Sequence, residues 1–417
     1  RSVLLGRSTD FGATWATTVV SNNQGKSGEA AFTDKPVTGL GIDTTSGKDD
    51  IVYVGWRRQF PNAASDLPAQ PMIAISSDGG RTFGPPMSAV AGVFDNAAAR
   101  APVFKTTSTT APLPAPTKPL DAAVNFGGVN PRIVVSNHGT VYVMWIATTA
   151  NIPGNPALAH YLSKSTDHGK TWTVVPINDF SPNNTDNYEV QLAWSPQGGP
   201  DGTLHLVYEG TDKPSIAGWT QIYYRRSTDG GQTWSPNKAV NDDDPAQLLV
   251  DRIPDVRTAP NGRVDVAWWS SRDNPGLRAN DAYYAFSPDD GVTWSKNIRV
   301  TDKPVDRTIG PFGNNFDLWG PPGLVSTNAY ALLAWDDTRN GDKLTQTQDI
   351  YAAAVQYSAI AGGTSKAVKY ALAAVGGLVI LGLVLLGAAM VSRRRREDDQ
   401  PAAAIPTSSV GASSKSP

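Results

Sequence analysis

The chain has 417 residues, with 36 Lys and Arg against 38 Asp and Glu and a formal net charge of −2. So even a balance offers no field to gather nucleic acid or another polyanion, and the absence of cysteine removes disulfides, thiolate zinc sites and a thiol nucleophile together. With 39 Gly and 32 Pro beside 12 Trp and 13 Tyr, the composition favours turns and short strands packed through aromatics over long helices.

The first predicted element is an alternating strand, SVLLGRS, which runs straight into the phrase STDFGATW from Ser8 to Trp15. The phrase returns four times and reduces to Ser-x-Asp-x-Gly-x-Thr-aromatic. Its carboxylates are Asp10, Asp78, Asp167, Asp229 and Asp289, and its aromatics are Trp15, Phe83, Trp172, Trp234 and Trp294. Before each later copy lies another alternating strand: PMIAISS, HYLSKS, QIYYRRS and DAYYAFS. One strand further upstream, the chain reaches Trp56, Trp145, Tyr208 and Trp269. Turn signals NHG, PDG and PNG introduce three of those upstream strands.

Each unit therefore reads as four short antiparallel strands, a propeller blade, repeating every 60 to 90 residues or so with inserted loops. A sixth unit is visible in AYALLAW, to Trp335, and DIYAAAV, to Val355. The first unit supplies only its third and fourth strands before Asn22. The expectation is an all-β, six-bladed propeller over residues 1–357. The chain starts at Arg1 with no signal peptide, so missing upstream sequence is expected to complete the first blade.

Residues 358–369 read as a linker. From 370 to 391 the chain has 22 residues without a charge, enough for a helix to cross a bilayer core of about 30 Å. Four arginines at 393–396 follow and by the positive-inside rule stay in the cytoplasm. Residues 392–417, small, polar and Pro-containing, read as a disordered tail. The expected location is the cell membrane, single-pass, with the propeller outside.

The repeated phrase has a local logic. In a hairpin between third and fourth strands, Asp229 can accept backbone N–H bonds, Gly231 can take a positive φ, Ser227 and Thr233 can bond across the loop, and Trp234 can bury its indole between sheets. This pattern is the Asp box, and on these five copies the chain resembles the sialidase-like, or BNR-repeat, propeller family from Arg1 to about Gln356. AWDDTRNGDKLTQTQDIYAA, from Ala334 to Ala353, and TDKPVTGLGIDTTSGKDDIVYVGW, from Thr33 to Trp56, are similar to bacterial members. The resemblance implies that the boxes lie on the outer edge of the blades, away from the ligand site, as structural staples.

Ligands of propellers gather at the channel mouth, on the connectors from one blade's last strand to the next blade's first. Those connectors hold Asp34, Lys35, Arg132, Asn187, Glu189, Asp251, Arg252, Asp306, Arg307, Asn315 and Asp317. The resemblance implies an exo-α-sialidase mechanism in which a Glu-activated Tyr is the nucleophile, an Asp the acid/base, and three Arg clamp the substrate carboxylate. DRIPDV, from Asp251 to Val256, contains the family's Arg-Ile-Pro triplet and aligns Arg252 with a clamp arginine, though in a later blade than the family uses. The segment from Tyr188 to Glu209 aligns Glu189 with the family's Glu, but Tyr208 or Glu209 stands where the second clamp Arg is expected. No late segment matches the nucleophilic Tyr.

The residues put forward are therefore Glu189 and Asp251 for catalysis and Arg132, Arg252, Arg307 and Lys35 for substrate. No cofactor is required. NDDDP, from Asn241 to Pro245, could offer hard oxygen ligands to Ca²⁺ but lacks an ordered ligand spacing. The histidines at 138, 160, 168 and 205 show no paired metal spacing. Three functions stay open: a cell-surface exo-α-sialidase acting on terminal sialic acids, a non-catalytic propeller binding glycan, protein or cell-wall polymer, and a hydrolase or lyase of another polysaccharide. Convergence of three arginines at the mouth would separate them.

Overall fold

The structure is a computed structural model. It describes residues 2–22, 32–45, 50–59, 70–89, 131–148, 158–177, 190–211, 219–244, 247, 249–275, 278–310, 320–357 and 370–371. Every regular element among them is a strand. The chain divides into a unit spanning Arg1–Val355 and a second spanning Gln356–Pro417, in which Gln356 and Tyr357 pair antiparallel with Ala371 and Tyr370.

Six antiparallel sheets follow one another in chain order. The first has two strands, Ser2–Arg7 and Ala16–Asn22, joined by the first Asp box. The second to fifth each lay down four strands in sequence, opening with Phe32–Asp43, Arg132–Val135, Val190–Gly199 and Asp251–Thr258, and in the fifth a further strand, Val305–Asp306, pairs with the start of the third. The sixth opens with Gly323–Ser326 and continues through Tyr330–Asp337 and Asp349–Tyr357. From the second sheet to the sixth, each opening strand packs beside the opening strand of the next, so these strands form the inner wall of the series.

Sheets stack through alternating side chains, the pattern the sequence shows. Val3 and Val20 of the first meet Val54 and Trp56 of the second, and Tyr53 and Ile73 of the second meet Val143 and Trp145 of the third. Tyr142 and Leu162 of the third meet Leu204 and Leu206 of the fourth, and Val207 and Tyr224 of the fourth meet Val264 and Trp268 of the fifth. Each such buried side chain contributes about 1.5–3 kcal/mol, so the seams between sheets dominate the stability of the unit.

All five boxes share three bonds: the Ser Oγ to the Asp carboxylate, the Gly N–H to the Ser Oγ, and the Thr N–H to the Asp carboxylate. In the fourth, Ser227 Oγ donates to Asp229 Oδ1 at 2.7 Å and accepts from the Gly231 N–H at 2.8 Å. The N–H groups of Gln232 and Thr233 donate to the same Asp229 oxygen at 3.0 and 2.9 Å, and Trp234 Nε1 donates to the Gly231 carbonyl at 3.2 Å. The box aromatic then packs against the preceding sheet: Phe83 joins the first, Trp172 the second, Trp234 the third and Trp294 the fourth. Trp15 departs from the expected burial and is 66% exposed. The first sheet has no preceding sheet among the described residues for it to meet.

The predicted membrane helix lies outside the described residues except for Tyr370 and Ala371, as do the linker and the tail. Among the described residues no helix is long and apolar enough to cross a membrane.

Candidate functional site on the inner strands

The opening strand of the fifth sheet is irregular where the sequence reads DRIPDV. Its pairing with the next strand slips between Arg252 and Asp255, and Ile253 sits at φ +51°. A β-branched residue before proline is expected in extended backbone, so this conformation costs on the order of 1–3 kcal/mol. Glu209, at the end of the second strand of the fourth sheet, holds it there: its Oε2 accepts the Ile253 N–H at 2.9 Å. The bulge leaves the Arg252 side chain exposed on the wall.

Below the bulge four polar side chains from three neighbouring opening strands meet. Arg132 of the third sheet donates from Nε to Gln191 Oε1 of the fourth at 2.7 Å. In the fifth, Arg257 Nη2 lies 3.1 Å from Asp255 Oδ2, and the Val256 N–H donates to Asp255 Oδ1 at 2.9 Å. Burial pushes the Asp255 carboxyl above its ordinary range, although the charges of Arg257 and Arg132 oppose the shift. The result is a wall bearing the guanidinium groups of buried Arg132 and half-exposed Arg257 and a carboxyl with raised proton affinity, Asp255, with Arg252 exposed on the same strand.

The other residues put forward from sequence have different surroundings. Asp251 is fully buried and takes hydrogen bonds from Trp268 Nε1 and Asn241 Nδ2, both at 3.0 Å. Burial and the adjacent Asp243 push its carboxyl well above the usual range. Against burial, hydrogen bonds from Asp251 and Asn241 and the Arg272 charge hold Asp243 low, so the shared proton rests on Asp251. Arg272 also binds Asp242 at 3.0 Å, so a guanidinium already neutralises the turn considered for Ca²⁺. Among the described residues no group of three or more His, Asp or Glu could hold a metal ion.

Arg307 is buried, with its guanidinium 4.1 Å from the centre of the Trp269 ring and 3.5 Å from Asp336. Asp306 caps its own turn through Thr308. Lys35 lies in the strand Phe32–Asp43, but its side chain is outside the described set, as is that of Asp34. Glu189, Asn187, Asn315 and Asp317 lie outside the described residues.

Of the sequence candidates, the inner wall therefore gathers Arg132 and Arg252, and it adds Gln191, Glu209, Asp255 and Arg257, which sequence reasoning did not select. Asp255 lies inside the quoted DRIPDV and Arg257 directly follows it, two residues apart in the strand, and that period-two spacing was the available signal.

The BNR/Asp-box repeat family matches residues 225–236, the fourth box. The chain carries Asp-box repeats. Among solved structures it is similar to a Hadza microbial sialidase at 18% identity and a TM-score of 0.46, over 79% of this chain and 56% of that one. It is similar to a Trypanosoma rangeli sialidase at 13% identity and a TM-score of 0.44, over 80% and 46%. A Penicillium chrysogenum α-L-arabinanase matches at 14% identity and a TM-score of 0.42, over 77% and 93%. The chain thus spans about half the length of the two sialidases. No curated protein matches the sequence.

Proposed function

We propose that the chain is a membrane-anchored, six-bladed, sialidase-like propeller held outside the cell, acting on terminal sialic acids of glycans as an exo-α-sialidase-type glycoside hydrolase. The observation that carries this reading is the inner wall, where Arg132 of the third sheet's opening strand and Arg257 of the fifth's act on Asp255, with Arg252 exposed on the same strand as Asp255. A guanidinium presents paired donors that match a planar carboxylate, which suits an acidic sugar. A carboxyl whose proton affinity is raised by burial suits the general acid that protonates a departing glycosidic oxygen. In this reading Arg252 meets the sugar first, Arg257 and Arg132 orient it, and Asp255 holds the proton.

One observation favours a second reading, a glycan-binding propeller without turnover: Arg132 is already bonded to Gln191, Arg257 to Asp255, and Arg307 is stacked beneath Trp269. A substrate carboxylate would have to displace these partners. The test is release of fluorophore from a 4-methylumbelliferyl sialoside by the ectodomain with any native upstream sequence in place, wild type against Arg252→Ala and Asp255→Asn. The hydrolase reading expects turnover that drops by 10²-fold or more in Asp255→Asn, in line with loss of a general acid. Absence of turnover together with Arg252-dependent retention on a sialylated glycan column would give the site to binding alone. Absence of both would end the sialic acid proposal.

A further inference from the structure

The residue between the Asp and the Gly of each box takes a positive φ in every copy: +56° at Phe11, +69° at Gly79, +58° at His168, +72° at Gly230 and +60° at Asp290. Where that residue is polar, it reaches back to the preceding sheet. His168 Nδ1 lies 2.7 Å from Asp43 Oδ2 at the end of the second sheet's opening strand. Asp290, in the fifth sheet's box, meets His205 of the fourth. The second of these contacts is enclosed, because the His205 side chain has no exposed surface.

The hydrogen bonds around His205 fix its tautomer. Ser195 Oγ donates to Asp290 Oδ1 at 3.0 Å, so its only proton is used, and the contact of 2.8 Å between Ser195 Oγ and His205 Nε2 must run from an Nε2–H. The same Nε2–H faces Asp290 Oδ1 at 3.3 Å. Nδ1 is then a bare acceptor, and the Tyr224 hydroxyl, 2.7 Å away, donates to it. The remaining groups facing the cluster are Thr203 Oγ1, which donates to Asp290 Oδ2 at 3.0 Å, and Arg226 Nη1, which donates to the Asp290 carbonyl at 2.9 Å and lies 3.4 Å from Oδ2. Every polar atom of the neutral ring is satisfied.

The Tyr224 hydroxyl has a second acceptor within reach, the Asp290 carbonyl at 3.4 Å. We propose that His205, Tyr224 and Asp290 form a proton-coupled switch in the seam between the fourth sheet and the fifth Asp box. At neutral pH the ring is neutral and Tyr224 donates to it. When a solvent proton binds Nδ1, the new Nδ1–H donates to the Tyr224 oxygen, and the Tyr224 O–H turns to the Asp290 carbonyl. No bond breaks in the protein, and the imidazolium is left beside the Asp290 carboxylate. Burial disfavours that charged ring and outweighs the pull of Asp290, so the His205 pKa lies below its ordinary value.

The sign of the effect follows from that depression. A ring that is harder to protonate in the closed seam than in the opened one contributes stability above about pH 6.5, and that stability is lost as pH falls. The seam should therefore loosen on acidification. Its inner end carries the Glu209 to Ile253 bond that shapes the Arg252 bulge, so the switch lies in the same sheet pair as the candidate site.

The test is NMR titration of the four histidines in the whole protein, with hydrogen exchange of the Gly291 and Val292 amides corrected for intrinsic rates. His205 is expected to hold its neutral Nε2–H signature well below pH 6, and protection in the box to fall about tenfold for each unit by which its pKa is depressed. His205→Gln should flatten that fall. If that variant does not fold, Asp290→Asn serves, because asparagine tolerates the same positive φ and removes the carboxylate that draws a proton to the ring; His205 should then titrate lower still. A His205 that titrates at its ordinary value, or box protection with the same pH profile in wild type and variants, would overturn the proposal.

Discussion

The box hairpins and the opening strands are two ends of the same sheets, and they are built on opposite rules. Every box repeats the same bonds, so that Asp78 closes on Ser76 and Thr82 as Asp289 closes on Ser287 and Thr293. Three successive opening strands place different polar groups on the inner wall: one offers Arg132, the next Gln191, the next Arg252, Asp255 and Arg257. Repetition marks what each sheet needs to stack on its neighbour. Lack of repetition marks where the chain is free to be specific, as in other propellers whose strands carry packing and whose loops and rims carry function.

The strongest way to sharpen the contrast is inside the box series. Trp172 is 8% exposed and packed against the second sheet, whereas Trp15 is 66% exposed. Trp172→Ala should cost about 3–5 kcal/mol and Trp15→Ala less than about 1 kcal/mol, read as the difference in urea midpoint. Equal losses would mean that the first box is buried in solution and that the series closes on itself there.

Backbone comes next. Gly291 holds φ +86°, and a Cβ placed on it would fall 1.8 Å from the Tyr224 hydroxyl. Gly291→Ala combines left-handed strain of about 1–2 kcal/mol with overpacking of about 1–3 kcal/mol, so a loss of about 2–5 kcal/mol is expected by denaturant melt. The opening strands should tolerate change better where the side chain is exposed: Arg252→Ala should stay within about 0.5 kcal/mol of wild type while abolishing any glycan-dependent signal.

The all-β class, the box staples and the strand order inside each sheet were legible because they rest on short-range rules: alternation, turn chemistry and a repeated phrase. The site was legible only in part. Arg132 and Arg252 could be placed by lying at strand starts, but Asp251 has the same position and disappears into a network with Trp268, Asn241 and Asp243. Which way a strand-start side chain turns depends on partners on other segments, here Trp268 of the next strand and Asn241 of the preceding turn, and strand alternation does not encode that. The bulge at Ile253 was invisible for the same reason, since the Glu209 that sustains it lies 44 positions away.

The smallest effect separates the two regions by the sign of their response to acid. Hydrogen bonds from Thr171, then from Ser165 and the Lys170 amide, hold the Asp167 carboxyl at about 2, and Asp10 is likewise lowered to about 2 through Thr14 and Ser8. Carboxylates depressed on folding contribute stability above their unfolded value near 3.8 and lose it as pH falls toward 2. Asp251 and Asp255 are shifted upward, so they contribute stability below the unfolded value near 3.8 and lose it as pH rises from there toward their raised folded values. Asp167→Asn should therefore lower the melting temperature by on the order of 1–2 °C at pH 5 and converge on wild type near pH 2. Asp251→Asn, which keeps the shape of the protonated acid, should lie nearest wild type below the unfolded value near 3.8 and gain on it as pH rises from there. If both variants followed one pH profile, the two ends of the sheets would share their electrostatics, and the division between staple and site would have to rest on packing alone.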